Sequence, residues 1–296
     1  MPELLPRAAW LARETAHEAR VDRLTEAHRT RRAGGEPLHP VEDFLFTYYR
    51  NSPARLRRWH PGAGVRLAGA AGMPRVAWPF YAEVGDDVEL DVVAFAQRRG
   101  STLSFVHELL SRTAARPAQL GCLGLHEWAM VHRLGAEEVR HRGWPLRLGS
   151  AGTDEVVQAH QIRCTHFDAY RFFTPSAVPL NALRPTRETQ VEHEQPGCLH
   201  VGMDLYKWAF KLSPAVPTEL TADCFELARD IRVLDMRASP YDLSDLGYEP
   251  VAIETAAGRA AYVAAQAEFS RRAAPLRERL VEVTYSLATT VEAIRA

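Results

Sequence analysis

PGCLHVGMDLYKWAFKLSP, residues 196–214, is the longest apolar segment of the chain and carries its most pointed polar pattern. Pro196 and Gly197 mark its start, Ser213 and Pro214 its end. Between them Leu199, Val201, Met203, Leu205, Tyr206, Trp208, Ala209, Phe210 and Leu212 cover nearly the whole circumference of a helix, the pattern of a buried one. His200, Asp204, Lys207 and Lys211 break that cover at i, i+4, i+7 and i+11, a single narrow stripe at helical spacing. The stripe reads either as the solvent-facing edge of a core helix, with Asp204 pairing a lysine, or as a functional line. Lys207 and Lys211 are the only two lysines of the chain, and a titratable amine can do what arginine cannot, losing its proton or forming a Schiff base.

The nearest partner for this helix follows Pro217, where Leu220, Cys224, Leu227, Ile231 and Leu234 keep a 4-3 spacing that faces a core. On the other side, residues 174–195 form a proline-rich polar stretch long enough to be a lid or site-lining loop. Upstream of it IRCTHFDAYRFF reads as a strand, after a strand in WPLRLG and a short helix in TDEVVQAH. Helices are expected at residues 91–98, 101–115 with Ser101 as N-cap, and 120–133. Residues 64–91 read as a β-hairpin. PGAGVRLAGA there echoes helix-hairpin-helix DNA-binding modules only faintly, since Gly69, Gly72 and Pro74 would cut the second helix short. These readings give a mainly helical α+β fold, a helical core beside a small sheet that holds RCTHFDAYRFF. One compact domain is expected over residues 1–296, with residues 1–35 a peripheral charged helix and 257–296 a C-terminal helical segment kinked at Pro275.

A formal net charge of −1 supplies no global attraction to nucleic acid or acidic membranes, so such binding would need a local patch. One is available in Arg29, Arg31, Arg32, Arg50, Arg55, Arg57 and Arg58, partly offset by Glu26, Glu36, Glu42 and Asp43, which also reads as an ordinary solvated surface. No apolar run approaches the about 18 residues a membrane helix needs, and the N-terminus lacks a signal-peptide core. Cys122, Cys164, Cys198 and Cys224 show no CxxC spacing and read as buried free thiols of a cytoplasmic protein.

Three segments concentrate titratable groups in apolar surroundings: LHEWAMVHR, RCTHFDAYRFF and the central helix. Strand alternation puts His166 and Asp168 on one face, and with His200 they match a two-His-one-carboxylate set able to hold iron, manganese or zinc. Twelve histidines make such matches cheap, so a hydrogen-bonded core network explains them as well. His126-Glu127 is a second acid–base pair, Glu192-His193-Glu194 a third in the polar loop, and His132 and His141 read as surface residues beside arginines. No Walker loop, dinucleotide fingerprint, HExxH or GxSxG occurs.

Residues 39–62, 121–133, 162–175, 194–212 and 234–243 together resemble an actinobacterial family whose members commonly carry the label 3-methyladenine DNA glycosylase. The resemblance implies base excision. Trp128, Trp144 or Trp208 would stack on an extruded purine, Asp204 or Glu127 would activate water, and the N-terminal arginines would hold DNA phosphates. The alternative is a metal-dependent enzyme acting on a small molecule, with His166, Asp168 and His200 as ligands and residues 174–195 closing over them. Both alternatives share one structural expectation. His126, Glu127, His166, Asp168, His200 and Asp204, with Lys207 as a candidate nucleophile, should line one cavity, because each sits in a segment whose neighbours must be buried.

Overall fold

A computed structural model describes residues 2–135, 138 and 143–295, with side chains described up to residue 289. The expected mainly helical α+β class is observed: among the described residues there are eleven α-helices and one small four-stranded mixed sheet. The chain divides into two compact units, residues 1–111, 205–226 and 275–296 in the first, residues 112–204 and 227–274 in the second.

The first unit holds the sheet, formed by β1 (Glu3–Leu5), β2 (Val65–Leu67), β3 (Tyr81–Val84) and β4 (Asp87–Leu90) in the order β1-β2-β4-β3. β1 runs parallel to β2, and the other pairs are antiparallel. The hairpin is therefore β3-β4, closed by Gly85 and Asp86, with Gly85 in the left-handed region such a turn favours. The expected run Val76, Trp78, Phe80 is instead a 3-10 turn at Pro74–Ala77 leading into β3. α1 (Arg7–Ala33) buries only Trp10, His17, Val21 and Thr25, one stripe at i, i+7, i+11 and i+15, and leaves its charged face to solvent. Trp10, Trp59, Leu67, Ala70 and Val88 form a core cluster beneath it. After α2 (Phe44–Tyr48), Ser52 caps α3 (Pro53–Arg57) by accepting from the Arg55 N–H, with Pro53 in the first turn. α4 (Val92–Ala114) is one continuous helix capped by Asp91, whose carboxylate accepts from the Ala94 N–H. Ser101 thus lies in its interior and is not an N-cap.

The second unit contains α5 (Leu125–Ala129), shorter than the helix expected over residues 120–133, then α6 (Gly149–Ala159), α7 (Phe167–Tyr170) and α8 (Gln190–His193). It also takes α9 (Leu199–Lys211) through Asp204, α10 (Thr218–Arg237) from Leu227, and α11 (Ala256–Arg295) through Ala274. α11 continues past Pro275 without a break in its helical assignment. Inside this unit a Cβ on Gly202 of α9 would meet the Ile231 Cδ1 of α10 at 2.8 Å, so glycine there permits the close packing of the two helices.

RCTHFDAYRFF is not in the sheet. His166 has extended backbone and is followed at once by α7, while WPLRLG contributes only an isolated bridge between Leu146 and Tyr241. Helical spacing turns Asp168 toward Arg171, three residues on, at 3.2 Å. His132 is buried and accepts from or donates to the Ser176 hydroxyl through Nδ1, contrary to the surface reading, and His141 lies outside the described residues. No helix among the described residues is long and apolar enough to cross a membrane.

Candidate functional site

The second unit encloses six histidines and carboxylates drawn from five separate stretches of chain. Gly124, with φ +69°, turns the backbone into α5 and sets His126 completely inside, where its Nε2 lies 2.9 Å from Asp235 Oδ1 on α10. His200, in the first turn of α9, brings its ring edge-on to His126 at 4.4 Å between centroids. On its other side the His200 ring is nearly parallel to His166 at 5.2 Å. His166 Nε2 lies 3.1 Å from Asp204 Oδ2 and 3.6 Å from Glu194 Oε1. His126, His200 and Asp235 thus form one set of potential ligands, and His166, Glu194 and Asp204 another, with the ligand atoms of each set within 4.8 Å of one another and every residue buried.

Those spacings fit a cation. Imidazole nitrogen and carboxylate oxygen bind iron, manganese or zinc at about 2.0–2.2 Å, so two ligands of one ion lie no more than about 4.4 Å apart. The observed limit exceeds that by a few tenths of an ångström, within the reach of side-chain adjustment. The mixed nitrogen and oxygen donors suit these metals better than calcium, which takes oxygen alone.

Electrostatics separates His126 from His200. Burial works against charge on His126, but the Asp235 carboxylate and its hydrogen bond outweigh it and hold the imidazole well above its usual range. Burial and then the neighbouring His126 push His200 well below that range. Asp235 is itself held low despite burial, by His126 first, then by His200 and Arg232. The Arg232 Nη1 donates to Asp235 Oδ2 at 2.7 Å and to Glu127 Oε1 at 3.0 Å, so the guanidinium clamps two buried carboxylates. Two further buried polar atoms, His166 Nδ1 and the Tyr262 hydroxyl, have no hydrogen-bond partner among the described residues. The Tyr262 hydroxyl lies 3.5 Å from where a Cβ of Gly124 would stand, beside the turn that delivers His126.

The structure therefore gathers His126, His166, His200 and Asp204 in one place and leaves other expected members out. Asp168 points to Arg171 instead, because α7 replaces the strand that would have put it beside His166. Glu127 is bound to Arg232 and joins the cluster only through that guanidinium. Lys207 belongs to the first unit, where its side chain is buried with the Nζ 4.3 Å from the Trp208 ring centroid; Lys211 is exposed. Sequence reasoning missed Asp235, and it placed Glu194 in a polar-loop acid–base group apart from the cluster. Asp235 had a signal, since it stands four residues after Ile231 on the core face of α10, where a carboxylate is costly. The polar loop around Glu194 reads as solvated, whereas α8 folds it inside with Gln190 donating to it.

Trp128, Arg29, Arg31 and Arg57 of the base-excision reading are engaged elsewhere. Trp128 is fully buried and donates its indole N–H to the Ala238 carbonyl, with the Arg147 guanidinium over its ring. Arg31 pairs with Glu42 and Asp43, Arg57 with Glu18 and Asp22, and Arg29 with Asp22. Comparison with protein-family models, with curated proteins and with solved structures finds no match for this chain.

Proposed function

We propose that this chain is a metal-dependent enzyme acting on a small molecule, with a buried centre for two divalent cations. His126, His200 and Asp235 would hold one ion and His166, Glu194 and Asp204 the other. The observation that carries this reading is His200 lying between two histidine rings, edge-on to His126 and stacked on His166, in a site with three carboxylates. Counting Glu127, four buried carboxylates share the fixed charge of Arg232, and His200, with histidine rings 4.4 and 5.2 Å away, is held toward its neutral form by burial and by His126. Buried carboxylates without enough counter-charge cost several kcal/mol each, and divalent cations coordinated by neutral imidazoles remove that cost.

Bound there, such ions would act as Lewis acids toward a substrate oxygen. The protein's part is to fix the ligands: Arg232 holds Asp235 from behind, Gln190 holds Glu194, and Cys122 Sγ lies 3.9 Å from the His126 nitrogen that faces away from Asp235. Nucleic acid is disfavoured as a substrate by the buried Trp128 and by the internal pairing of Arg29, Arg31 and Arg57. Base excision, which the resemblance implies, draws no comparable support from these residues.

Elemental analysis of protein prepared without chelator is the test. About two equivalents of iron, manganese or zinc are expected, falling to about half in Asp235→Asn. Metal-free protein whose melting temperature does not respond to added iron(II), manganese(II) or zinc(II) would overturn the reading.

A further inference from the structure

A cleft of about 230 Å³ in the second unit is lined by Gln119, Gly121, Cys122, Arg163 and Gln195. Each of its walls is tied by chain or by contact to a residue of the buried cluster. Cys122 touches His126 across 3.9 Å, Gln195 follows Glu194 directly, and Arg163 leads three residues later to His166. The cleft thus adjoins His126 through Cys122 and lies one residue along the chain from Glu194. Its volume falls below the roughly 300 Å³ at which drug-sized sites begin, so it suits a molecule of metabolite size.

The wall is rigid and its polar atoms are largely spent. Gln195 Oε1 accepts from the N–H groups of Gln119 and Gly197, and its Nε2 donates to the Gln119 carbonyl. Gly197 is packed so tightly on this loop that a Cβ would stand 2.5 Å from the Gln119 carbonyl oxygen. The charged group left to meet a ligand is Arg163, which is exposed and faces no carboxylate among the described residues, with the exposed Gln119 amide on the same lining. Arg116 does not line the cleft but reaches the same loop: its Nη1 donates to the carbonyl of Glu194, the residue before Gln195.

We infer that this cleft is the substrate-binding mouth of the buried centre and that its substrate is a small molecule bearing a carboxylate, which Arg163 anchors while the reacting end points past Cys122. A planar guanidinium with two parallel donors matches a carboxylate in a way a single donor cannot. The inference rests on the metal-centre reading for what happens beyond Cys122, but the anion-binding cleft is testable by itself.

The experiment is calorimetric titration of wild-type protein, Arg163→Gln and Arg163→Lys with succinate, with the neutral isostere succinamide and with inorganic phosphate, the metal content of each sample being measured in parallel. Saturable succinate binding is expected, weakened about tenfold or more by Arg163→Gln, partly retained in Arg163→Lys, and much weaker for succinamide, at unchanged metal content. Equal binding of succinate and succinamide, or succinate affinity unaffected by Arg163→Gln, would overturn the inference. Phosphate binding without succinate binding would overturn the carboxylate assignment. Arginine-dependent succinate binding in metal-free protein would uphold the cleft while removing the metal centre, and metal-replete protein indifferent to Arg163 would do the reverse.

Discussion

Cys122 is the only one of the four cysteines that is not buried, and its sulfur is the partner of the His126 nitrogen turned away from Asp235. Metal-binding histidines commonly depend on such an outer partner for ring orientation, and its loss lowers metal affinity about 10–100-fold. Cys122→Ala is therefore expected to weaken one of the two metal sites by that factor in a chelator competition, while leaving the other unchanged and Cys122→Ser intermediate. Equal affinities in all three proteins would remove Cys122 from the centre. At this scale the sequence is a partial guide. His126, His166, His200 and Asp204 were identifiable because each is a titratable group inside an apolar run, and such a group must find a partner when its neighbours are buried. Asp168 met the same criterion and failed it, because a side chain three residues ahead of an arginine on a helix has a partner at hand.

At the scale of elements, the helix α9 could be read in full, since an apolar surface all round and flanking prolines leave little alternative. The segment before α7 could not, because its mixture of aromatic and branched residues satisfies a strand's alternation as well as a short helix. In the fold His166 sits against Asp204 just before the helix, a tertiary contact that no local pattern contains. The same holds for the 119–122 loop, whose shape depends on residues some seventy-six positions away. Gln119 and Gln195 exchange hydrogen bonds there, and Gly197 makes room for them. Gly197→Ala places a methyl carbon 2.5 Å from a backbone oxygen that has no rotamer through which to escape. A loss of about 1–3 kcal/mol in urea unfolding is expected, together with weaker binding of succinate as the cleft wall shifts. A fully stable Gly197→Ala protein would show that the loop is looser than this packing requires.

For the molecule as a whole, composition gave class and net charge but not assembly: residues 205–226 and 275–296 join the N-terminal stretch in one unit, and nothing in their hydrophobic pattern says which apolar face they meet. One consequence of that first unit's interior is a pH dependence of global stability. His60 is buried with its Nδ1 on the Tyr81 hydroxyl, and burial, then the charges of Arg75 and Arg58, then His17, push its imidazole down to about 3. Burial likewise lowers His17, whose Nε2 meets the Leu56 carbonyl. A histidine whose folded pKa lies below the usual 6.5 contributes nothing to pH dependence above 6.5, where both states are neutral. As the pH falls below 6.5 the unfolded chain takes up the proton first, and stability is lost at about 1.4 kcal/mol per pH unit for His60 down to its folded value. Asp43, held low by Arg31 and His28 despite its burial, acts in the same direction but only below about pH 4. Between pH 7 and pH 5 the histidines therefore dominate this unit, and His60 alone accounts for about 2 kcal/mol. Urea unfolding of metal-stripped wild-type protein and His60→Gln at the two pH values checks this. The wild type is expected to lose about 2 kcal/mol more than the variant, which keeps a hydrogen-bonding amide but nothing to protonate. Equal losses in the two proteins would mean that His60 accepts its proton inside the fold, and that the arginine-lined interior around it is open to water.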